Sequence, residues 1–214
     1  MDMVWNPING QMYDGICGTC GANQNDYVVA LNGAAIAATI KLPYKSELLG
    51  PLAYDPANKD MYVALETEVS VIDSATNKII RSIDLPSGQE PQVLAYDPAN
   101  KNIYIGSTDG VYYSFAYVVN SQTNRIIESF NTTNIDNYYP IMVGLIFNPT
   151  NHYMYLSAED GYGGGFIAVL SSLSDKIVTS WVTGTLPDQG VYNPANSQVF
   201  VTYPVSNDVD VISS

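Results

Sequence analysis

Leu52-Ala53-Tyr54-Asp55-Pro56-Ala57-Asn58-Lys59-Asp60-Met61-Tyr62-Val63-Ala64 holds two short β-prone runs around one turn. Asp or Asn opening such a turn accepts a backbone hydrogen bond, and Pro presets the next φ. Asn tolerates a left-handed conformation at the fourth place, so the phrase reads as a tight reversal between antiparallel strands. It recurs along the whole chain as Asn6-Pro7-Ile8-Asn9, Asp97-Pro98-Ala99-Asn100, Asn148-Pro149-Thr150-Asn151 and Asn193-Pro194-Ala195-Asn196. Similar runs precede two of these turns, Leu94-Ala95-Tyr96 and Leu145-Ile146-Phe147. An aromatic residue follows each proline at the same offset: Tyr13, Tyr62, Tyr104, Tyr155 and Phe200. A fixed phrase at variable spacing means one structural unit with loops of different length.

Each unit continues in the same way. A third strand is expected over Tyr27 to Leu31, Val69 to Ile72, Tyr113 to Val119, Phe166 to Leu170 and Val209 to Ile212. A second turn follows as Asp73-Ser74-Ala75-Thr76-Asn77-Lys78, Asn120-Ser121-Gln122-Thr123-Asn124-Arg125 and Ser171-Ser172-Leu173-Ser174-Asp175-Lys176, shortened to Asn32-Gly33-Ala34 in the first unit. It leads into a fourth strand over Ile36 to Leu42, Ile79 to Leu85, Ile126 to Phe130 and Ile177 to Val182. Four short antiparallel strands per unit, without helical periodicity, predict an all-β chain of β-propeller blades. The blades fall at about 1–49, 50–91, 92–141, 142–188 and 189–214, in a single domain, with the strand before each repeat turn innermost.

Leu52 to Leu85 resembles the YVTN family of β-propeller repeats, most closely in the second blade and most distantly in the first. The resemblance implies a ring, commonly of seven blades, of the kind found in archaeal surface-layer and other exported proteins. The fifth unit has no fourth strand in the sequence, so the expectation is a piece of a longer ring rather than a five-bladed ring with one three-stranded blade. Its open edge is a place for self-association.

The chain of 214 residues has 21 acidic and 8 basic side chains, a net charge of -13. That balance excludes the basic footprint a nucleic acid requires and the attraction an anionic membrane surface requires. No apolar run is long enough to form a membrane-spanning helix. At 46% hydrophobic residues the chain buries a substantial core. Two cysteines and one histidine cannot furnish a thiolate-rich zinc site or a multi-histidine copper centre, and no cofactor is expected.

Candidate site residues are few. Cys17-Gly18-Thr19-Cys20 lacks the strand-to-helix setting of a redox motif and the further ligands of a zinc site; a local disulfide is expected, with free thiols as the alternative. His152 follows the fourth repeat turn, where its equivalents are Gly10, Lys59, Lys101 and Ser197, and reads as a solvated turn residue rather than a base. Asp55, Asp97 and Asp73 read as turn caps. Glu159-Asp160 and the pair Asp208 and Asp210, which alternation sets on one strand face, lack the dense oxygen ligands of a calcium loop. Tyr138, Tyr139 and Tyr162 are candidate interaction aromatics, with Tyr112 assigned to packing between blades, and Asn131-Thr132-Thr133 is a glycosylation sequon.

The resulting expectation is a non-catalytic extracellular or cell-surface scaffold, adhesive or part of a surface layer, that contacts protein or carbohydrate. The alternative is a secreted hydrolase or lyase working in the central channel, which requires carboxylates from several blades at one pocket. The cysteine reading is checked by mass: reduction of the exported protein raises its intact mass by about 2 daltons if Cys17 and Cys20 are bonded. Two thiols alkylated without reductant contradict it.

Overall fold

The computed structural model describes residues 3–16, 26–43, 49–86, 88–111, 113–132 and 141–213. They form nineteen strands in five antiparallel sheets, with no helix among the described residues. Blade 1 comprises β1 (Met3–Asn6), β2 (Gln11–Ile16), β3 (Tyr27–Asn32) and β4 (Ala35–Lys41). Blade 2 comprises β5 (Leu52–Asp55), β6 (Asp60–Ala64), β7 (Glu68–Asp73) and β8 (Lys78–Asp84). Blade 3 holds β9 (Glu90–Asp97), β10 (Asn102–Thr108), β11 (Ser114–Asn120) and β12 (Arg125–Asn131). Blade 4 holds β13 (Ile141–Asn148), β14 (Tyr153–Glu159), β15 (Gly165–Ser171) and β16 (Lys176–Thr183). Blade 5 has three strands, β17 (Gly190–Asn193), β18 (Gln198–Tyr203) and β19 (Asp208–Ile212). The third and fourth strands expected from the repeat are present to within a residue or two at their ends. Strands β9 and β13 begin earlier than their apolar runs, because pairing with β10 and β14 extends them toward the far end of the blade.

The first strands of successive blades lie against one another in the order β1, β5, β9, β13, β17, which makes them the inner strands. Middle strands such as β6, β7, β10 and β15 are buried nearly throughout, whereas the fourth strands β4, β8, β12 and β16 are mostly exposed. A propeller blade produces this gradient, because its middle strands meet a neighbouring blade on both faces and its outer strand forms the rim. The core is accordingly a series of seams. One packs Tyr13, Val28 and Ile40 against Leu52, Met61 and Ile72, and the next packs Tyr62 and Val71 against Ile103 and Val119. Between blades 3 and 4, Tyr104 and Val118 meet Met154 and Leu156; between blades 4 and 5, Tyr155 and Ile167 meet Val199 and Val201.

The repeat turn works as expected at its first residue: Asn6, Asp55, Asp97, Asn148 and Asn193 each accept the backbone N–H two residues on at 2.6–2.9 Å. The left-handed residue is not the fourth, as turn chemistry suggested, but the fifth: Gly10, Lys59, Lys101, His152 and Ser197 have φ of 58–68°. The asparagine has another task. Its Oδ1 accepts the N–H two residues on, as Asn58 does from Asp60 at 2.9 Å, which fixes its side chain.

Held that way, the asparagine amide reaches into the next blade. Asn58 Nδ2 donates to the Tyr62 hydroxyl at 3.1 Å and to the Ser121 carbonyl at 3.0 Å, and the Tyr62 hydroxyl donates to Asn124 Oδ1 at 2.7 Å. The same set joins Asn9 and Tyr13 to Ser74 and Asn77, and Asn100 and Tyr104 to Ser172 and Asp175. The serines are tied in turn to their own blade's first turn, since Ser74, Ser121 and Ser172 donate to the carbonyls of Lys59, Lys101 and His152. Three seams are therefore locked by one side-chain latch. Phe200 lacks the hydroxyl that the relay uses.

Tyr62→Phe should cost about 1–2 kcal/mol, because it strands Asn124 Oδ1 and one Asn58 donor in a buried seam. Tyr155→Phe, whose hydroxyl donates to no described group, should cost less than half as much; equal losses in denaturant unfolding would contradict the latch. Asp60, buried beside the carboxylates of Asp73 and Asp55, has its pKa pushed up to about 6 by burial first and those charges second. The folded protein thus holds that proton more tightly than the unfolded chain, and the stability it confers at low pH is lost as pH rises through about 6. Asp60→Asn should stabilise by about 1–2 kcal/mol at pH 7 and by much less at pH 4. A gain independent of pH would contradict this assignment.

Candidate functional site

The blade topology gives the molecule two chemically distinct ends. All repeat turns and second turns lie at one end, where the latches are. The connections from second to third strand and from each blade to the next lie at the other end, and these differ in length from blade to blade. Among the described residues the loop end carries the solvent-reaching carboxylates Glu66, Asp84, Glu90, Asp109, Glu159, Asp160, Asp188 and Asp208, with Lys41 the one cation there. Lys59, Lys78, Lys101, Arg125 and Lys176 all stand at the latch end, where the solvent-reaching acids are Asp73 and Asp175. The net charge read from composition is thus distributed with a strong polarity along the ring axis.

The loop end opens into the channel between the inner strands. Pro51, Val93, Leu94, Leu145 and Gly190 line a recess of about 130 Å³. A recess of about 270 Å³ that shares Pro51, Val93 and Gln189 with it adds Gln92, Met142 and Asp188. Close approach of β13 to β14 depends on Gly144, where a Cβ would run into Ser157 Oγ. Ser157 instead donates to the Asp188 carbonyl at 2.9 Å, anchoring the strand-to-strand crossover into blade 5. A third recess of about 120 Å³ is lined by Leu65 and Glu66 of blade 2 and by Glu90 and Pro91 of blade 3. Burial, and then the charges of Asp188 and Asp160, raise the pKa of Glu159 above the usual carboxylate range.

A fourth cleft, of about 400 Å³, lies at the side of the molecule between β16 and β19, lined by Trp181, Thr183, Tyr203, Asp208 and Asp210 among others. Tyr203 is buried and donates to Asp210 at 2.6 Å. Asp208 and Asp210 do share one strand face, as alternation predicted, and both are exposed.

The residues singled out from the sequence distribute unevenly over these features, and Cys17, Cys20, Tyr112, Tyr138 and Tyr139 lie outside the described residues. Tyr162 is 69% exposed in the loop where Asp160 accepts the N–H groups of Tyr162 and Gly164, so it is a surface residue and not core. Asn131 is exposed at the end of β12, beside the buried Thr132. His152 is only half solvated, a departure from the expected open turn position: its ring Nδ1 is enclosed without a hydrogen-bond partner. Burial raises the pKa of neighbouring Asp97, opposed by hydrogen bonds from Ser172 and from the backbone of Ala99 and Asn100. Among the described residues no three His, Cys, Asp or Glu side chains are grouped to hold a metal ion. Glu66, Glu90, Asp188 and Trp181 were not recognisable as site residues in the sequence, because only the blade register shows that they share an end or a cleft.

No family model matches the chain, and no curated protein matches it. Solved propellers do. The chain is similar to Kuenenia stuttgartiensis hydrazine synthase, with TM-score 0.72 and 17% identity over 94% of this chain and 54% of that one. It is similar to the Dos1 propeller, with TM-score 0.65 and 12% identity over 95% of this chain and 56% of that one. A chain of the mitotic checkpoint complex gives TM-score 0.76 and 12% identity over 99% of this chain and 60% of that one. The chain thus spans little more than half the length of these structures, and at such identities the likeness establishes the β-propeller fold alone.

Proposed function

We propose that this propeller is a non-catalytic interaction scaffold, acting outside the cell, that presents its loop end to a basic protein segment. The observation that carries the reading is the polarity of the ring. One end is closed by a repeated latch that commits its polar groups to structure. The other has loops of varied length and eight solvent-reaching carboxylates against one lysine among the described residues. A face of one sign attracts and orients a partner of the other sign. Exposed Asn131 in its sequon and the low Lys and Arg content support an exported setting, as does the resemblance to surface-layer repeats. Three solved propellers share the fold; one belongs to a multi-protein assembly, the mitotic checkpoint complex.

The test is binding of oligolysine and oligoglutamate peptides in titrations at rising salt. Oligolysine should bind and weaken steeply with salt, and a Glu66→Gln, Glu90→Gln, Asp188→Asn variant should lose affinity several-fold. Asp73→Asn, at the latch end, should bind as the parent does. Equal binding by both variants would refute the loop-end assignment. A hydrolytic activity abolished by both Glu66→Gln and Glu90→Gln would replace the scaffold with the channel enzyme, since those two carboxylates come from adjacent blades and line one recess.

A further inference from the structure

We propose that the latch end binds the loop end of a second copy of this chain, so that propellers stack head to tail along the ring axis. This assignment rests on the loop end being the face that takes a basic partner, and it supplies that partner. Three features of blades 2, 3 and 4 specify a second copy. Each of these blades has a described blade on both sides, so the surfaces concerned do not depend on how the ring closes.

The first is the sign of the latch end. Lys59 and Lys101 take the left-handed place of their repeat turns, and Lys78, Arg125 and Lys176 open the fourth strands; all five are exposed. The acids that reach solvent beside them are engaged. Asp73 accepts from Thr76 Oγ1 and from the Ala75 N–H, both at 2.8 Å, and Asp175 accepts from the Tyr104 hydroxyl at 2.7 Å. Asp55, Asp60 and Asp97 are buried. The latch end of these blades thus presents cations in excess, while the loop end presents Glu66, Asp84, Glu90, Asp109, Asp160 and Asp188. In sequence, the residues outside the described ones hold one cation, Lys45, against Asp2, Glu47 and Asp136, so they add no basic excess.

The second is the match between the two ends. Glu66, Asp109 and Asp160 stand in the second-to-third-strand connections of blades 2, 3 and 4. The same blades carry Lys59 with Lys78, Lys101 with Arg125, and Lys176 in the turns at the opposite end. Both sets therefore recur at the pitch of the blades around one axis. A second copy placed coaxially and turned by whole blades brings each carboxylate into the same relation with a cation, a coincidence that an unrelated basic segment lacks. The apolar surfaces also correspond. Tyr113 and Tyr162, 53% and 69% exposed, lie in the loops of Asp109 and Asp160, and the latch end offers exposed Pro56-Ala57 and Pro98-Ala99 at its turn tips. Aromatic rings pack on such small flat ground and over lysine ammonium groups.

The third is the exclusion of the other pairings. Loop end on loop end sets carboxylates against carboxylates, and latch end on latch end sets cations against cations; like charges disfavour both. Unlike ends attract. Such a contact is heterologous and leaves one end of each kind open, so it propagates as a row instead of closing as a dimer. The net charge of -13 opposes self-association at about 0.01 M salt, where the screening length is about 30 Å and whole molecules repel. At about 0.1 M salt the screening length is about 10 Å, and only the facing surfaces interact. Association consequently peaks at intermediate salt.

Sedimentation of the intact chain tests this. At about 0.1 M salt its weight-average mass should at least about double between dilute and concentrated solution without levelling at a dimer, and it should approach the monomer at about 0.01 M and at about 1 M. A triple variant Lys101→Glu, Arg125→Glu, Lys176→Glu reverses charge at the latch end, and a second, Glu66→Lys, Asp84→Lys, Glu90→Lys, reverses it at the loop end. Each alone should stay monomeric. Mixed in equal amounts they should assemble as the parent does, because the mixture restores unlike ends and requires both variants to be folded. Stacking is overturned if the parent's mass is independent of concentration at every salt, if it levels at a dimer, if either variant assembles alone, or if the mixture stays monomeric. The latch-end variant keeps its loop end and should still bind oligolysine. Oligolysine binding by a parent that stays monomeric overturns the stack and leaves the loop-end reading in place, whereas absence of both overturns both.

Discussion

A propeller blade buries both faces of its middle strands only if its neighbour stands at the right distance and tilt, and here that position is set by the asparagine–tyrosine latch. Apolar packing in the seams is non-directional, so alone it would tolerate sliding of one blade against the next. The latch adds direction. Asn58 is held by its own turn, Tyr62 is held by Asn58, and both end on the second turn of blade 3. Because the hydroxyl and the amide are buried, a misplaced blade would leave them unpaired, which costs more than the bonds themselves contribute.

The same commitment of polar groups explains the polarity of the molecule. At the latch end the polar side chains bond to each other, and burial raises the pKa values of Asp60 and Asp97. At the loop end no repeated network constrains the residues. Solvent-reaching acids accumulate there and loops vary, which is the usual division between a rigid scaffold and the surface it presents.

Blade 5 departs from this scheme. Its seam with blade 4 is tied by Thr150 to Tyr192 and Ser197 and by Asn148 to the Ser197 carbonyl, mostly exposed contacts that replace the buried latch. Asn151 and Tyr155 nonetheless retain the latch geometry.

The repeat phrase and its trailing aromatic were enough to lay out the blades, because turn chemistry and strand propensity are local properties of a few residues. What Asn58 and Tyr62 bond to was not legible. Their partners Ser121 and Asn124 lie some sixty residues away in sequence. Only stacking of blades brings them within reach. Likewise composition showed an acidic chain, but alternate strand directions decided that unopposed acids gather at one end and most of the described cations at the other. Asp208 and Asp210 were recognisable as one face of a strand from period-two alternation. That this face closes a cleft against Trp181 depends on the angle between two blades, a quantity set by packing across the seam and by no stretch of sequence taken alone.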